Sequence, residues 1–399
     1  MKSRIFLFLG IFLLFPSFLF GEAFAFQYNQ GNKYRIVSKV NEDVIINGIY
    51  SHTSDILNKI SITVEESADG RGLLDADFQT SERSAGNTGV YQWGQFYHSR
   101  FYRDMYGKYE ISSKFFMPVV RDVPTFPERD IQPGDSWSAE GHEVHDFRTN
   151  FGIPEPYRFP ILVHYTYLGK EKKNGATYDL ISIYYTVYYR TDAVVSSREL
   201  YPVRITGYSE QLLYWDNDLG RPDTYNENFE FLFILSDGQT VEYRGTADAE
   251  TIQASSLDKN KVSEEIREQL KETVPEARVE AGEEGVTITL ENIQFLPDSA
   301  VLLKEEQSKL QKIADILKMY PERDVLVTGH TALAGTERGR QTLSELRAKT
   351  VGDYFFSTGV KKADQIITRG MGARVPVADN TSEEGMRKNR RVEITILEN

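Results

Sequence analysis

Two stretches of this 399-residue chain hold side chains that could do chemistry. The first is His142-Glu143-Val144-His145-Asp146, the densest run of ligand and acid–base types. A helical zinc-protease motif sets its histidines four apart. These are three apart, and on a strand an odd separation sends the two rings to opposite faces. Solvated strand or loop residues are therefore expected, and no metal ligands are assigned. The second stretch, Gly329 to Val351, contains His330, Arg340 and Arg347. Arg347 lies four residues after Leu343 and four before Val351, on or beside the apolar stripe of an expected helix. An arginine there needs a carboxylate or a pocket, and its planar, permanently charged fork suits a carboxylate. Elsewhere Asp216 and Asp218 sit in a turn-like sequence. There is no Gly-x-Ser-x-Gly elbow, phosphate loop or dinucleotide fingerprint. No nucleophile, base and orienting group can be named together, so no catalytic residue is assigned and the chain is read as a non-enzyme.

The elements that must position Arg347 come late in the chain. Strand Val286 to Leu290 precedes a helix in which Leu310, Ile313, Ala314 and Leu317 recur at helical spacing, with Asp298 or Ser299 as its cap. Strand Asp324 to Thr328, helix Arg338 to Phe356, and strands Gln365 to Arg369 and Arg391 to Leu397 complete a β-α-β-α-β-β order, an α+β sandwich. Earlier, from 26 to 250, alternation dominates. Tyr34 to Val40, Val44 to Tyr50, Lys59 to Val64, Tyr157 to Leu168, Tyr178 to Arg190, Val203 to Leu213 and Phe229 to Leu235 read as strands. Asn41-Glu42-Asp43, Asp69-Gly70-Arg71-Gly72 and Lys170 to Thr177 read as turns. The expectation is a multi-domain chain: an all-β N-terminal domain (sandwich or barrel-like) at 26–250, a linker helix in 251–275 ended by Pro275, and the α+β domain at 276–399. Trp93, Trp137 and Trp215 are expected to anchor the core or a loop.

Composition narrows the class. Apolar content of 40% and charge of 26% suit folded domains. A formal net charge of -13 argues against general nucleic-acid binding. The chain has no cysteine, which excludes disulfides, thiol catalysis and N-terminal lipidation. Lys2 and Arg4, an apolar run from Ile5 to Phe20 and small residues up to Ala25 describe a cleaved secretory signal peptide at 1–25.

The sequence Gly329-His330-Thr331-Ala332, the run Leu343-Ser344-Glu345-Leu346-Arg347-Ala348-Lys349-Thr350-Val351, and Asn389-Arg390-Arg391-Val392-Glu393-Ile394 resemble the OmpA-like domain of cell-envelope proteins. Gly370-Met371-Gly372, Pro376, Asn380-Thr381 and Glu384-Gly385 add to the resemblance, which covers about 286–399. It implies a pocket for the diamino acid of the peptidoglycan stem peptide. There Arg347 would bind a carboxylate, with Arg390 and Thr331 beside it, and His330 would be a hydrogen-bonded loop residue. Three positions depart from the family. Ala332 stands where an Asp usually binds the amine, Arg340 replaces an Asn, and Leu296 replaces an Asp. The implied function is a non-catalytic periplasmic or outer-membrane protein that associates with peptidoglycan, weakly or atypically because of Ala332, or with another envelope component. One alternative is an outer-membrane β-barrel with a periplasmic tail. The other is the same fold diverted to a protein or another anionic ligand. No cofactor is implied.

Overall fold

A computed structural model describes residues 21–84, 89–191, 200–291, 293, 295 and 299–398. The residues 1–20 of the expected signal peptide, Leu296 and Asp298 lie outside these. Alternating apolar and polar residues build long antiparallel strands in the N-terminal half: β1 (Lys33–Ile46), β2 (Ile49–Ala68), β3 (Arg71–Ser84), β4 (Tyr91–Asp104), β5 (Tyr109–Glu110), β6 (Val120–Arg121), β7 (Ser136–His145), β8 (Tyr157–Lys173), β9 (Ala176–Arg190), β10 (Pro202–Asp216), β11 (Arg221–Leu235) and β12 (Thr240–Gln253), with a single-turn helix α1 (Arg148–Phe151). Pairing runs β4-β3-β2-β1-β12-β11-β10-β9-β8-β7-β6, with β5 on β4. β1 thus joins the first hairpins to the last strand.

The sheet curls back on itself. Across the gap between β4 and β7, Tyr97 donates to Asp146 Oδ2 at 2.7 Å and Lys108 Nζ to the Glu140 carbonyl at 2.7 Å. Inward positions are mainly apolar: Trp215, Ile181, Val163 and Phe159 are fully buried. Asp248 and Glu250 face outward and are exposed. Phe24 and Phe26 pack under Phe126 and Trp215, and Glu22 exchanges backbone hydrogen bonds with Ile131 at 2.8 and 2.9 Å. Residues 22–25, placed in the signal peptide by the sequence reading, are therefore packed onto this domain.

One expected turn is strand. Asn41, Glu42 and Asp43 lie within β1, where Asn41 Nδ2 donates to Asp55 Oδ1 across the ladder at 2.8 Å. The chain reverses instead at Asn47-Gly48, both at positive φ (52° and 75°), the backbone of a type I′ hairpin turn. The other expected turns are observed, with Asp69-Gly70 and Asn174-Gly175 also at positive φ.

The C-terminal part comprises α2 (Lys259–Leu270), β13 (Arg278–Ala281), β14 (Gly285–Glu291), α3 (Lys304–Leu317), β15 (Val325–Gly329), α4 (Glu337–Ser357), β16 (Ile366–Gly370), α5 (Glu383–Asn389) and β17 (Arg391–Leu397). The strands pair β13-β14-β17-β15-β16, with β15 and β16 parallel. α5 was not foreseen. Ile266 and Leu270 of α2 share one core with Leu310, Ile313, Ala348, Phe355 and Ile394. The helix expected as a linker is packed into this domain.

The two halves are joined through side chains and backbone. Residues 91 and 92 of β4 pair in parallel with β16 at Ile367 and Thr368, and Val90 is buried in the C-terminal core. Beneath that junction Asp324 accepts from Arg35 Nη2 at 2.5 Å and Lys59 Nζ at 2.8 Å, all three buried. Lys59 also donates to the Asp364 carbonyl at 2.7 Å, and Lys39 pairs with the Asp364 carboxylate at 2.6 Å. Burial pushes the Lys59 ammonium below its ordinary pKa despite Asp324.

Candidate functional site: an arginine-lined groove

The first turn of α4 is capped by Thr336, whose hydroxyl accepts from Gly339 N at 3.1 Å. Its buried face is Ser344, Ala348, Val351, Gly352 and Phe355, one residue away from a stripe through Leu343 and Arg347. The helix lies close on β15: a Cβ on Gly329 would sit 2.2 Å from the Ser344 carbonyl oxygen. Such contact fixes the loop 330–336 against the helix start.

A groove of about 750 Å³ opens beside this helix, lined among others by Thr331, Ala332, Arg340, Leu343, Arg347 and Arg390. All the residues singled out in sequence as ligand-binding, namely Arg347, Arg390, Thr331, Ala332 and Arg340, meet here. Arg338 joins them; its place in the first helical turn facing the loop was the signal for it. No described lining residue is a carboxylate, and the helix N-terminus adds its own partial positive charge.

Each arginine is held differently. Arg347 Nε donates to the Ser299 carbonyl at 3.3 Å, and its guanidinium stacks 4.9 Å from the Phe295 ring centre. Arg390 pairs with the exposed Glu383 at 2.7 Å. Arg340 donates to the Gly335 carbonyl at 2.5 Å. Thr331 is buried, and its hydroxyl has no hydrogen-bond partner among the described residues. Such a group facing a groove is available to a ligand. Ala332 presents a methyl group that can accept no hydrogen bond.

Neighbouring motif residues support the groove from behind. Buried Asn389 accepts from Val377 N and Ala378 N at 2.8 and 3.0 Å and donates to the Ala378 carbonyl and Asn380 Oδ1. Asn380 in turn accepts from Leu333 N at 3.0 Å, tying the closing segment to the loop after Ala332. His330 is buried 3.4 Å from Glu393, and burial holds its pKa below the ordinary value. Burial would raise the Glu393 carboxyl, but His330 and Arg391 bring it down to about 2. Arg391 is buried against Glu393 and the Val375 carbonyl, so it adds nothing to the groove. Arg387 and Lys388 do not line it.

The His142 to His145 run is not solvated. Glu143 is 2% exposed and bonds His145 Nε2 at 2.7 Å, while His145 stacks on Phe147 and Phe159. His142 lies on the other face near Asp122. Among the described residues no cluster of His, Asp and Glu could hold a metal ion. Trp215 is core, Trp137 stacks on Tyr165, and Trp93 lies under Arg369 at the domain junction.

Fold and groove define an α+β domain with an arginine-lined groove, appended to a curled β-sheet domain. The C-terminal domain belongs to the OmpA family, whose model matches residues 294–390. The chain is 41% identical over 104 residues to the peptidoglycan-binding protein ArfA of Mycobacterium tuberculosis strain H37Rv, covering 26% of this chain and 32% of the relative. It is 38% identical over 105 residues to the probable lipoprotein YiaD of Escherichia coli K12, covering 26% and 48%. Among solved structures, an outer membrane protein from Borrelia burgdorferi B31 is 36% identical over 30% of this chain and 96% of that one, with a TM-score of 0.26. The cell wall anchor of the type VI secretion system (T6SS) from Pseudomonas aeruginosa is 32% identical over 34% and 97%, with a TM-score of 0.31. The chain spans about a third of the length of the curated relatives it matches first.

Proposed function

We propose that this protein is a non-catalytic component of the bacterial cell envelope whose C-terminal groove holds a carboxylate of peptidoglycan. The observation that carries the reading is the meeting of Arg340, Arg347 and Arg390 with the unpartnered Thr331 hydroxyl in one groove. A relative named as peptidoglycan-binding is 41% identical over 104 residues of this chain. Ala332 removes the acceptor for an amine. The loss of one charge-assisted contact costs about 1.5–3 kcal/mol, roughly ten- to a hundred-fold in affinity, so binding is weaker and less selective than with an Asp there. A secretory leader would deliver the chain to the periplasm. Periplasmic peptidoglycan, not nucleic acid, is the partner.

A membrane-spanning barrel would need an apolar outward band; charged outward positions such as Asp248 and Glu250 weigh against it. Diversion of the fold to another anionic ligand is the remaining rival, favoured by Ala332. Co-sedimentation of the full chain with purified sacculi separates the two. Wild type should pellet and Arg347→Gln should pellet markedly less. Equal pelleting of both would exclude the groove as the binding site. Pelleting by Ala332→Asp alone would mean that the fold has lost wall binding.

A further inference from the structure

The N-terminal sheet holds a half-open cavity that the arginine groove does not use. It measures about 320 Å³, at the lower end of volumes that accept small organic ligands. Its walls come from strands far apart in pairing order. Ile60 of β2 and Phe78 of β3 contribute to it, as do Ile183 of β9 and Leu213 of β10. The space therefore lies between the two halves of the curled sheet, and its lining is largely apolar.

Arg103 enters this cavity. Its Nε donates to the Tyr28 hydroxyl at 2.9 Å, while Nη1 and Nη2 reach the Tyr109 and Tyr34 hydroxyls only at 3.5 Å. The guanidinium lies 3.8 Å from the centre of the Phe26 ring. Among the described residues, the groups that act on it most strongly are these tyrosines, none of them a carboxylate. A half-buried, permanently charged group in an apolar setting ordinarily takes an anionic partner. Phenol oxygens and a ring face satisfy part of its donor capacity but supply no counter-charge. Two weakly used N–H edges remain, in the geometry that grips a carboxylate in bidentate fashion.

The far end of the cavity is different. Glu227 Oε1 accepts from Ser209 Oγ at 2.7 Å and Gln211 Nε2 at 3.2 Å. In strand register Glu227 lies opposite Ala247, which lies opposite Val40 of β1. Val40 is six residues beyond Tyr34, or about 20 Å of strand. The Glu227 end offers an anion no counter-charge, so only the Arg103 end can take an acidic head group.

We propose that the β-domain binds a single-chain carboxylate, its head group on Arg103 and its apolar chain along Ile60, Phe78, Ile183 and Leu213. The test uses the full chain and a displaceable fluorescent fatty acid, with dodecanoate, dodecanol and dodecylamine as competitors. Dodecanoate should compete best, with dodecanol about ten- to a hundred-fold weaker. Arg103→Gln should erase the preference for dodecanoate over dodecanol, and Ile183→Trp, which fills the space, should abolish displacement by either. Equal competition by dodecanoate and dodecanol would overturn the role of Arg103, and best competition by dodecylamine would assign the anchor to Glu227. Undiminished binding in Ile183→Trp, or no binding of the probe at all, would remove the site. Should Arg103→Gln fail to fold by circular dichroism, the three-ligand comparison on wild type still decides.

Discussion

Replacing Asp324 with Asn should loosen the joint between the two domains. In the native chain this one carboxylate sits between the buried Arg35 and Lys59 cations at 2.5 and 2.8 Å. Removing one member of a buried pair leaves uncompensated charge and costs about 3–5 kcal/mol. Here two cations lose their partner, which favours the upper end, although Lys59 keeps its bond to the Asp364 carbonyl. In domains of this size each kcal/mol moves Tm by about 2–4 °C, so a drop of roughly 6–20 °C is expected. Calorimetry should show more than the shift. The native chain should melt in one transition and Asp324→Asn in two, because β4 pairing to β16 is too short to couple the halves alone. The triple replacement Arg35→Met, Lys59→Met and Asp324→Leu should lie much nearer wild type, since a removed set of buried charges costs less than a broken one. A single unshifted transition in Asp324→Asn would refute the view that this triad couples the domains.

Two further changes probe the interiors. The Glu42 carboxyl is raised to about 7 by burial and by nearby Glu82. Its folded-state pKa exceeds the unfolded value, so the folded state holds the extra proton and stability is lost as pH rises from about 4.5 through 7. Glu42→Gln should therefore raise stability by about 1–3 kcal/mol at pH 8 and change little at pH 4, as thermal melts at the two pH values would show. Asn389→Ala strips partners from Val377 N, Ala378 N and Asn380. It should cost about 2–4 kcal/mol and speed hydrogen exchange in 377–380 while leaving β13 and β14 protected.

How much of this was legible in the sequence depended on the range of the interactions. The α3 stripe and the Arg347 helix were readable because helical packing repeats at fixed spacing. The groove residues were readable because they fall in two short segments. The turn at Asn47-Gly48 was also written locally, but the polar run 41–43 looked more like a break than it is. Cross-strand hydrogen bonds such as Asn41 to Asp55 make polar residues acceptable inside β1. The domain joint was not readable at all. Asp324 lies 289 residues from Arg35 and 265 from Lys59, and each alone looks like surface charge. The insertion of Val90 into the C-terminal core and the unpaired charge of Arg103 likewise depend on how the sheet curls, which no local pattern encodes.

On the proposed function, the C-terminal groove grips a carboxylate and does not read an amine. The most direct measurement is calorimetric titration of the full chain with a peptidoglycan stem peptide. The peptide would be used once with the diamino acid's free amine and once with that amine acetylated. Wild type should bind the two forms with equal affinity, Ala332→Asp should prefer the free amine, and Arg347→Gln should lose binding of both. Strong preference of wild type for the free amine would contradict this function.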